Sequence, residues 1–554
     1  MTNKNVYIES YKKQLTKILS LQDRNPFSKT FGCFDRNYWH YKTRDFPSAM
    51  SQEFTLPLAL AYSTNFPDNI FYKNENLYNW VIAGIENTIS QSRFDGSLDD
   101  YYPYERALGA SVFTTYALTE SCLTLGLDND KYNNYFILAN EWMIQANESG
   151  MLTNHHAIQA MCHLNLYRLI KDKKYLKVAD EKIKKIISMQ DDEGWFLEYG
   201  GCSPSYLTVT IDFLSQIHLN RPSEKLKNAI LKSIDFFYNI QHPDGTCGGD
   251  YGSRNTFFLH PNGFEIMSIY STKAMKIANS YLDAKKKNLY PVQDDDYTFA
   301  HIFISNLNAY LNCNRKEFSN LNNKKSQKDF TYKSAGFKIV SRSEFWAIFN
   351  LKKAALGKIY FKNNLKFNYS GIVIKNNRNV YTNALQKPDT RIELKSNHIT
   401  ILNKFISYNQ KVPNLYNYLF FRLFLMLFGR FEKVSIFTRK LLQKLLIYKK
   451  KTSNYFSTTS ITFTESTLAL KVVIEGKFDG SEQVYVPKNF VPVYTAMSEY
   501  FYKYDLDSEN KKTPLTDEKL MILLREKGYN IARRTVAKYR EQLNIPVARM
   551  RKEL

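Results

Sequence analysis

Three stretches of the chain concentrate side chains that can move protons or hold an anion. The first is Asn154-His155-His156, placed directly after a turn and at the start of a helix. About fifty residues on comes Glu198-Tyr-Gly-Gly-Cys-Ser-Pro-Ser-Tyr206. The third is Gly248-Gly-Asp-Tyr251-Gly-Ser-Arg254-Asn255-Thr, ending in His260-Pro-Asn-Gly-Phe-Glu265. Imidazole and phenol groups are general acids and bases, whereas amide and guanidinium groups donate hydrogen bonds to negative charge. Each residue also has an ordinary structural role open to it. Asn154 can be a helix cap, His155 and His156 hydrogen-bonded rim histidines, and Tyr206 a core aromatic with a bonded hydroxyl.

What sets these clusters apart is where they recur. From about residue 50 to 315 the apolar spacing predicts successive amphipathic helices, among them Asn76–Gln91, Arg106–Leu125, Ala157–Ile170 and Lys174–Met189. A repeated phrase punctuates them: Gln91-x-x-x-Asp95-Gly96, Gln145-x-x-Glu148-x-Gly150, Gln190-x-x-Glu193-Gly194 and Gln241-x-x-Asp244-Gly245. The phrases start 54, 45 and 51 residues apart, the length of one helical hairpin with its turns. Such a period implies stacked helix pairs whose functional loops gather on one face. The glycine of each phrase suits a turn that needs positive φ. The clusters follow these phrases, so they are expected on a single rim, where a cleft would sit.

After residue 320 the pattern becomes short alternating runs, including Gly336–Arg342, Glu344–Leu351, Lys358–Phe361, Ser370–Ile374, Ser457–Thr464 and Ala469–Ile474. These predict an antiparallel β domain over 320–505. Within it, 413–451 reads as a helical insertion with apolar helices Tyr416–Phe431 and Ser435–Lys451 that carry Arg422, Arg430, Lys433, Arg439, Lys440 and Lys444. The uncharged part is too short to span a bilayer, for which about 20 residues are needed. A hairpin packed on the sandwich is expected, and a basic segment making peripheral membrane contact is the alternative.

Asn-His at a helix start, Glu-Tyr-Gly-Gly with a following Tyr, and Gly-Ser-Arg-Asn-Thr leading to Pro-x-Gly-Phe-Glu resemble the heparinase II/III-like and related alginate lyase families. The opening Asp35-Arg-Asn-Tyr-Trp-His40 through Pro47 is similar to members of the same group, and the likeness covers roughly residues 20–505. It implies an (α/α) toroid over 1–315 joined to a β-sandwich, an α+β multidomain fold, and β-elimination on a uronate-containing polysaccharide. That chemistry must neutralise a carboxylate and stabilise the enolate-like charge that develops beside it. By position, Asn154 and His155 would hold the carboxylate, and Tyr206 would act as base or acid at the reacting carbon. Arg254 would supply positive charge or bind a second acidic sugar, with Tyr251 in reserve for Tyr206. His156, Glu198, Asn255 and His260 complete the implied substrate-binding set. The family's catalytic histidine from the β domain has no clear counterpart, since His398 is the one histidine after residue 301. His260 or His301 would have to substitute.

The C-terminal segment changes character again. After the polar linker Ser508–Pro514, Thr516 suits an N-cap, and helices are predicted over Asp517–Lys527 and Ala532–Leu543, a helix-turn-helix outline. Ala532-Arg-Arg-Thr-Val-Ala-Lys-Tyr-Arg-Glu541 resembles the RpoN box of sigma-54 factors at all ten positions, and residues 511–554 fit the same family. The resemblance implies binding of the promoter −24 element in the major groove through Arg533, Arg534, Thr535, Lys538, Tyr539 and Arg540, with Arg549, Arg551 and Lys552 on phosphates. Residues 511–554 hold twelve Lys and Arg against five Asp and Glu, or +7. The remaining parts of a sigma-54 factor are not found here, so a fused tail on a lyase is expected. The alternative is a DNA-binding protein whose large part is an inactive sugar-binding scaffold.

Bulk composition narrows the partners. A net charge of +23 favours a polyanion, though surface lysines can also reflect base composition, so only localised charge counts. Six well-separated cysteines form no CxxC pair, which predicts neither zinc site nor disulfide framework, and no cofactor is expected. The first residues lack the apolar run and cleavage site of a secretory signal, so a cytoplasmic location is expected.

Overall fold

A computed structural model describes residues 3–146, 152–290, 299–314, 328–377, 379–386, 390–408, 414–443, 452–487, 515–526, 532–542 and 547–548. The chain forms two compact units, Met1–Glu499 and Tyr500–Leu554. The expected linker 508–514, Glu148 and Gly150 of the second phrase, and Lys444, Arg549, Arg551 and Lys552 lie outside the described residues.

Helices that are apolar on all sides alternate with helices that are apolar on one side. The first kind comprises Thr55–Ser63, Leu108–Leu125, Thr153–Ile170, Pro204–Asn220, Asn262–Met267 and Ala300–Asn312, which are buried along most of their length. The second kind comprises Val6–Leu21, Glu75–Gln91, Asp130–Gln145, Lys173–Ser188, Glu224–Ile240 and Thr272–Lys286. All-round burial marks inner helices, whereas a single apolar stripe marks outer ones. Each inner helix packs on the next, and Ala300–Asn312 packs back on Thr55–Ser63, so the inner helices close a ring. Inner-helix Thr and Ser hydroxyls are satisfied internally, as Thr119 and Ser121 donate to the carbonyls of Thr115 and Ala117.

The repeated phrase is a device for seating outer helices. Gln190 Nε2 donates across its turn to the Gly194 carbonyl at 3.1 Å and to the Ala229 carbonyl of the next outer helix at 2.8 Å. Gln241 makes the same pair of contacts with Gly245 and Ile277. Gly194 and Gly245 have φ of 101° and 87°, and a Cβ there would lie 2.5 and 2.0 Å from the carbonyl oxygens of Lys232 and Ser280. Glycine is therefore required both for the turn and for the close approach. Gln22 and Gly32 repeat this arrangement against Trp80 and Ala83 with a longer loop between them, which hid the relation from a search by spacing.

The β region contains two antiparallel sheets. The first is a meander of β1 (Phe330–Tyr332), β2 (Phe337–Ser341), β3 (Phe345–Asn350), β4 (Leu356–Phe361) and β5 (Asn364–Tyr369). The second contains β6 (Val373–Lys375), β7 (Val380–Thr382), β8 (Arg391–Lys395), β9 (His398–Ser407), β10 (Thr452–Phe463), β11 (Leu468–Glu475) and β12 (Gln483–Tyr485), in the order β11-β10-β9-β7-β6-β12, with β8 also on β9. Alternation along β3 explains the layering. Phe345, Ala347 and Phe349 share a core with Ile399, Ile401, Ile461 and Phe463 of the second sheet, while Trp346 and Ile348 join the core of the helices. The first sheet is thus buried on both faces at its centre, where β3 is buried at every residue, whereas β5 is exposed over Asn364–Phe367.

The insertion forms helices Leu415–Phe428 and Glu432–Gln443, but its seat differs from the expectation. Among the described residues its side-chain hydrogen bonds and ion pairs beyond the hairpin itself are to the helical region. Ser435 Oγ donates to the Tyr104 carbonyl at 2.7 Å, Arg106 donates to the Arg430 carbonyl, Arg422 pairs with Asp45, and Phe421 meets the Tyr102 ring at 5.5 Å. Leu425, Gly429, Ser435 and Thr438 are the buried positions of the hairpin, so one leucine and three small or hydroxyl residues face inward, while most of its large apolar side chains do not.

That loop holds a carboxyl that opposes stability at alkaline pH. Glu105 Oε2 accepts from the Tyr101 and Asp100 amides at 2.7 and 3.2 Å, yet burial, with Asp100 and Asp99 nearby, pushes its pKa up to about 7 from 4.5. Between those values the folded chain keeps a proton that the unfolded chain releases, so stability falls as pH rises through the window. Glu105→Gln is expected to remove about 3 kcal/mol of pH-dependent loss and to melt higher than wild type at pH 8. Thermal melts at pH 5 and 8 check this, and an unchanged pH dependence would reject it.

Candidate functional site

The inner helices present their N-termini at one mouth of the ring, and contacts between first turns tie that mouth together. A Cβ on Gly109 would lie 2.7 Å from His155 Cε1, so the start of Leu108–Leu125 lies against the start of Thr153–Ile170. Phe113 packs edge-on to His155 at 6.0 Å and lies 4.3 Å from the His301 ring at the start of Ala300–Asn312. His301 Nδ1 is 2.6 Å from Glu53 Oε2, two residues before Thr55–Ser63. Unsatisfied amides and the helix dipole make such a convergence favourable to negative charge.

Asn154 is fully buried in the first turn of its helix, where Leu152 offers no side-chain cap. Glu198 supplies the cap from the turn of the following hairpin. Its Oε1 accepts the Asn154 backbone amide and its Oε2 accepts Asn154 Nδ2, both at 2.7 Å, and Thr210 Oγ1 donates to Oε1 at 3.4 Å. Asn154 is therefore held by a carboxylate rather than acting as the cap itself, and one of its side-chain N–H groups is committed to Glu198. His156 follows, half-buried, on the same turn.

Tyr206 lies half-buried in the first turn of Pro204–Asn220, its ring tilted 48° to that of Tyr199 at 4.9 Å and edge-on to Phe258 at 5.6 Å. Tyr199 hydrogen-bonds Tyr206, and burial raises the Tyr199 phenol well above its usual range, with Tyr206 and Glu198 adding and Arg254 opposing. Tyr199 thus keeps its proton and has it available to donate to the Tyr206 oxygen. The Arg254 guanidinium lies 4.5 Å over the Tyr199 ring, so its charge reaches Tyr206 through an intervening phenol. Tyr199 adopts a left-handed φ of 54°, which turns its ring back onto that helix.

The β region positions the loop that carries Arg254. Asn350 Nδ2 donates to the Tyr251 carbonyl at 2.6 Å, Lys353 Nζ to the carbonyls of Asp250 and Gly252, and Ser370 Oγ to Asp250 Oδ2. Ser253 Oγ donates to the Glu198 carbonyl at 2.7 Å, stitching the loop to the Asn154 partner. Asn255 is buried in this loop. His260 lies behind it, with Nδ1 3.3 Å from Asp212 Oδ2. Burial lowers the His260 pKa despite Asp212, and the nearby His301 adds to the effect.

The structure thus brings Asn154, Glu198, Tyr206 and Arg254 into one contact chain and places His155, His260 and His301 at the same mouth. Tyr251 is turned away from it. Its hydroxyl meets His242 Nε2 at 2.9 Å and accepts the Gly248 amide, and its ring packs on Phe337 in the core beneath the first sheet. Sequence reading gave no role to Tyr199, Glu53 or Asp212. Tyr199 stood inside a quoted phrase, whereas Glu53 and Asp212 carried no local signal beyond an acid among apolar neighbours. Among the described residues no cluster of three or more His, Cys, Asp or Glu is arranged to hold a metal ion.

In the second unit, helices Asp517–Glu526 and Arg533–Gln542 pack together through the buried Val536 and a bidentate pair of Arg540 with Asp517, with Nε to Oδ1 at 2.7 Å. Arg533, Arg534, Lys538 and Tyr539 are exposed and Thr535 is half-buried, while Arg540 is 7% exposed. Of the predicted DNA-facing set, Arg540 is the residue committed to holding the two helices together.

Residues 495–553 match the family model for the sigma-54 DNA-binding domain. The RNA polymerase sigma-54 factor of Escherichia coli is 57% identical over 47 residues, which are 8% of this chain and 10% of that protein. The chain therefore spans about a tenth of the length of that relative. Among solved structures, a chondroitin AC lyase mutant from Streptomyces coelicolor A3 aligns with a TM-score of 0.44 at 9% identity, over 73% of this chain and 67% of the other. An unsaturated glucuronyl hydrolase mutant from Streptococcus agalactiae aligns with a TM-score of 0.35 at 12% identity, over 56% of this chain and 79% of the other.

Proposed function

We propose that this protein is a polysaccharide lyase that cleaves a uronate-containing polysaccharide by β-elimination and carries a sigma-54-like DNA-binding tail. In this reading 1–315 is an (α/α) toroid, 320–505 a β-sandwich with the insertion 413–451, and 511–554 a helix-turn-helix, in a cytoplasmic protein. The observation that carries it is the contact chain Asn154–Glu198–Tyr199–Tyr206 with Arg254, at a mouth where inner-helix N-termini converge.

His155 and the converging helix termini hold the sugar carboxylate and stabilise the charge that develops on it, and Asn154, buried on Glu198, fixes the turn that carries His155. Tyr206 removes the proton beside the carboxylate, and donation from Tyr199 with the Arg254 charge behind it favours the Tyr206 phenolate. His301, oriented by Glu53, replaces the histidine missing from the β region as proton donor to the leaving oxygen, and His260, kept neutral by burial beside Asp212, backs the substrate-binding loop. His156 and Asn255 border the substrate path. The test is incubation of the full chain with a panel of uronate polysaccharides while following the ultraviolet absorbance of an unsaturated uronate. No absorbance gain with any of them would sink the lyase reading.

The tail supports a second activity, and its match to the sigma-54 DNA-binding domain favours it. Arg534 and Lys538 stand one turn apart on an exposed helix face, as base-edge and phosphate contacts require. The full chain is expected to shift a −24-type promoter duplex in preference to a scrambled one. Arg534→Ala should weaken that complex about tenfold and relax the preference. Equal affinity of wild type for both duplexes would reject promoter reading. A chain that binds the duplex and never yields unsaturated product is instead a DNA-binding protein on an inactive scaffold.

A further inference from the structure

We infer that the hairpin Leu415–Gln443 is an interfacial anchor that inserts into the surface of an anionic lipid bilayer, without spanning it. Large apolar side chains on the hairpin are open to solvent: Tyr416 is 81% exposed, Phe420 73%, Met426 69% and Phe437 62%. Single exposed apolar residues are ordinary, but a contiguous apolar surface of this extent on a soluble chain marks a contact. At 100° per residue, the exposed positions of Leu415–Phe428 cover more than half of the helix circumference. A protein groove covers one stripe of a helix, whereas lipid accepts an apolar surface in the round.

Length and charge select the mode of contact. The first helix has 14 residues, about 21 Å at 1.5 Å per residue, against about 30 Å of hydrocarbon. Among the described residues no helix is long and apolar enough to cross a membrane. Arg430, Lys433 and Lys440 are exposed beside the apolar side chains, with Glu432 the acidic residue among the described positions of the hairpin. Basic residues bordering a shallow apolar wedge match an anionic headgroup layer. The hairpin is also fixed rather than tethered loosely, since Ser435, Arg430 and Arg422 are bonded to Tyr104, Arg106 and Asp45. Its seat on Tyr104–Arg106 adjoins the start of Leu108–Leu125, at the same mouth as His155. This inference stands independently of the lyase reading.

The test is cosedimentation of the full chain with vesicles of phosphatidylcholine alone and with about one-third phosphatidylglycerol, beside a quadruple variant, Phe420→Ser, Leu423→Ser, Met426→Ser and Phe437→Ser. Wild type is expected to bind the anionic vesicles at least tenfold more tightly than neutral ones. The quadruple variant should lose most of that binding while its circular dichroism and melting stay those of wild type. Absence of pelleting by wild type would overturn the proposal. So would equal pelleting by the variant, which would assign the binding to the basic tail. Self-association of wild type, lost in the variant without any lipid binding, would overturn it by identifying a second copy as the occupant.

Discussion

The Tyr206→Phe chain is expected to release unsaturated uronate at least about 100-fold more slowly than wild type, because removal of one oxygen removes the base. Phe at this position keeps the ring contacts with Tyr199 and Phe258, and a half-buried hydroxyl contributes little to folding, so the melting temperature should move little. That separation makes the result decisive. Loss of turnover in a chain that melts like wild type assigns chemistry to the phenol, whereas unchanged turnover removes Tyr206 from the mechanism. Tyr199→Phe supplies a graded comparison. It withdraws a donor to the Tyr206 oxygen and should shift the alkaline-going limb of the kcat profile upward in pH, since the phenolate loses stabilisation.

Glu198→Ala is expected to be among the most destabilising single changes in the larger unit, by about 3–5 kcal/mol. The carboxylate satisfies two donors of Asn154 and caps a helix whose own N-cap residue is leucine. Alanine leaves the Asn154 amide and backbone N–H buried without acceptors and uncovers the helix terminus. Glu198→Gln should cost less, because its carbonyl oxygen keeps one of the two bonds. Thermal and urea melts of the three chains check the order, and an alanine variant as stable as wild type would show that water or a rearranged turn takes over the role.

Legibility followed the range of the interactions. The helices predicted over Asn76–Gln91 and Lys174–Met189 are found at Glu75–Gln91 and Lys173–Ser188, because an apolar period of 3.6 with caps at either end is local information. β3 was readable as a short apolar run and β10 from its alternation and branched residues. β9, the central strand of the second sheet, escaped because its polar residues find partners far along the chain, His398 on Thr462 and Asn403 on the Asn383 carbonyl. At the candidate site, the positions of Asn154, Tyr206 and Arg254 followed from phrases that recur with the hairpin period. The roles of Glu198 and Tyr199 did not, since each is defined by a partner on another element.

By itself the sequence determined the segmentation into helices and strands, the hairpin period, the loops that border the mouth, and the RpoN-box helix with its exposed arginines. Only the tertiary structure decided which members of those loops face the mouth. It turned Tyr251 toward His242 and the first sheet, committed Arg540 to Asp517, bound Asn154 to a carboxylate 44 residues away, and seated the insertion on the Tyr101–Arg106 loop. The physical reason is that backbone periodicity encodes the direction of a side chain relative to its own element. What that side chain meets depends on ring closure and on the first sheet, which bring together residues separated by scores of positions in the chain.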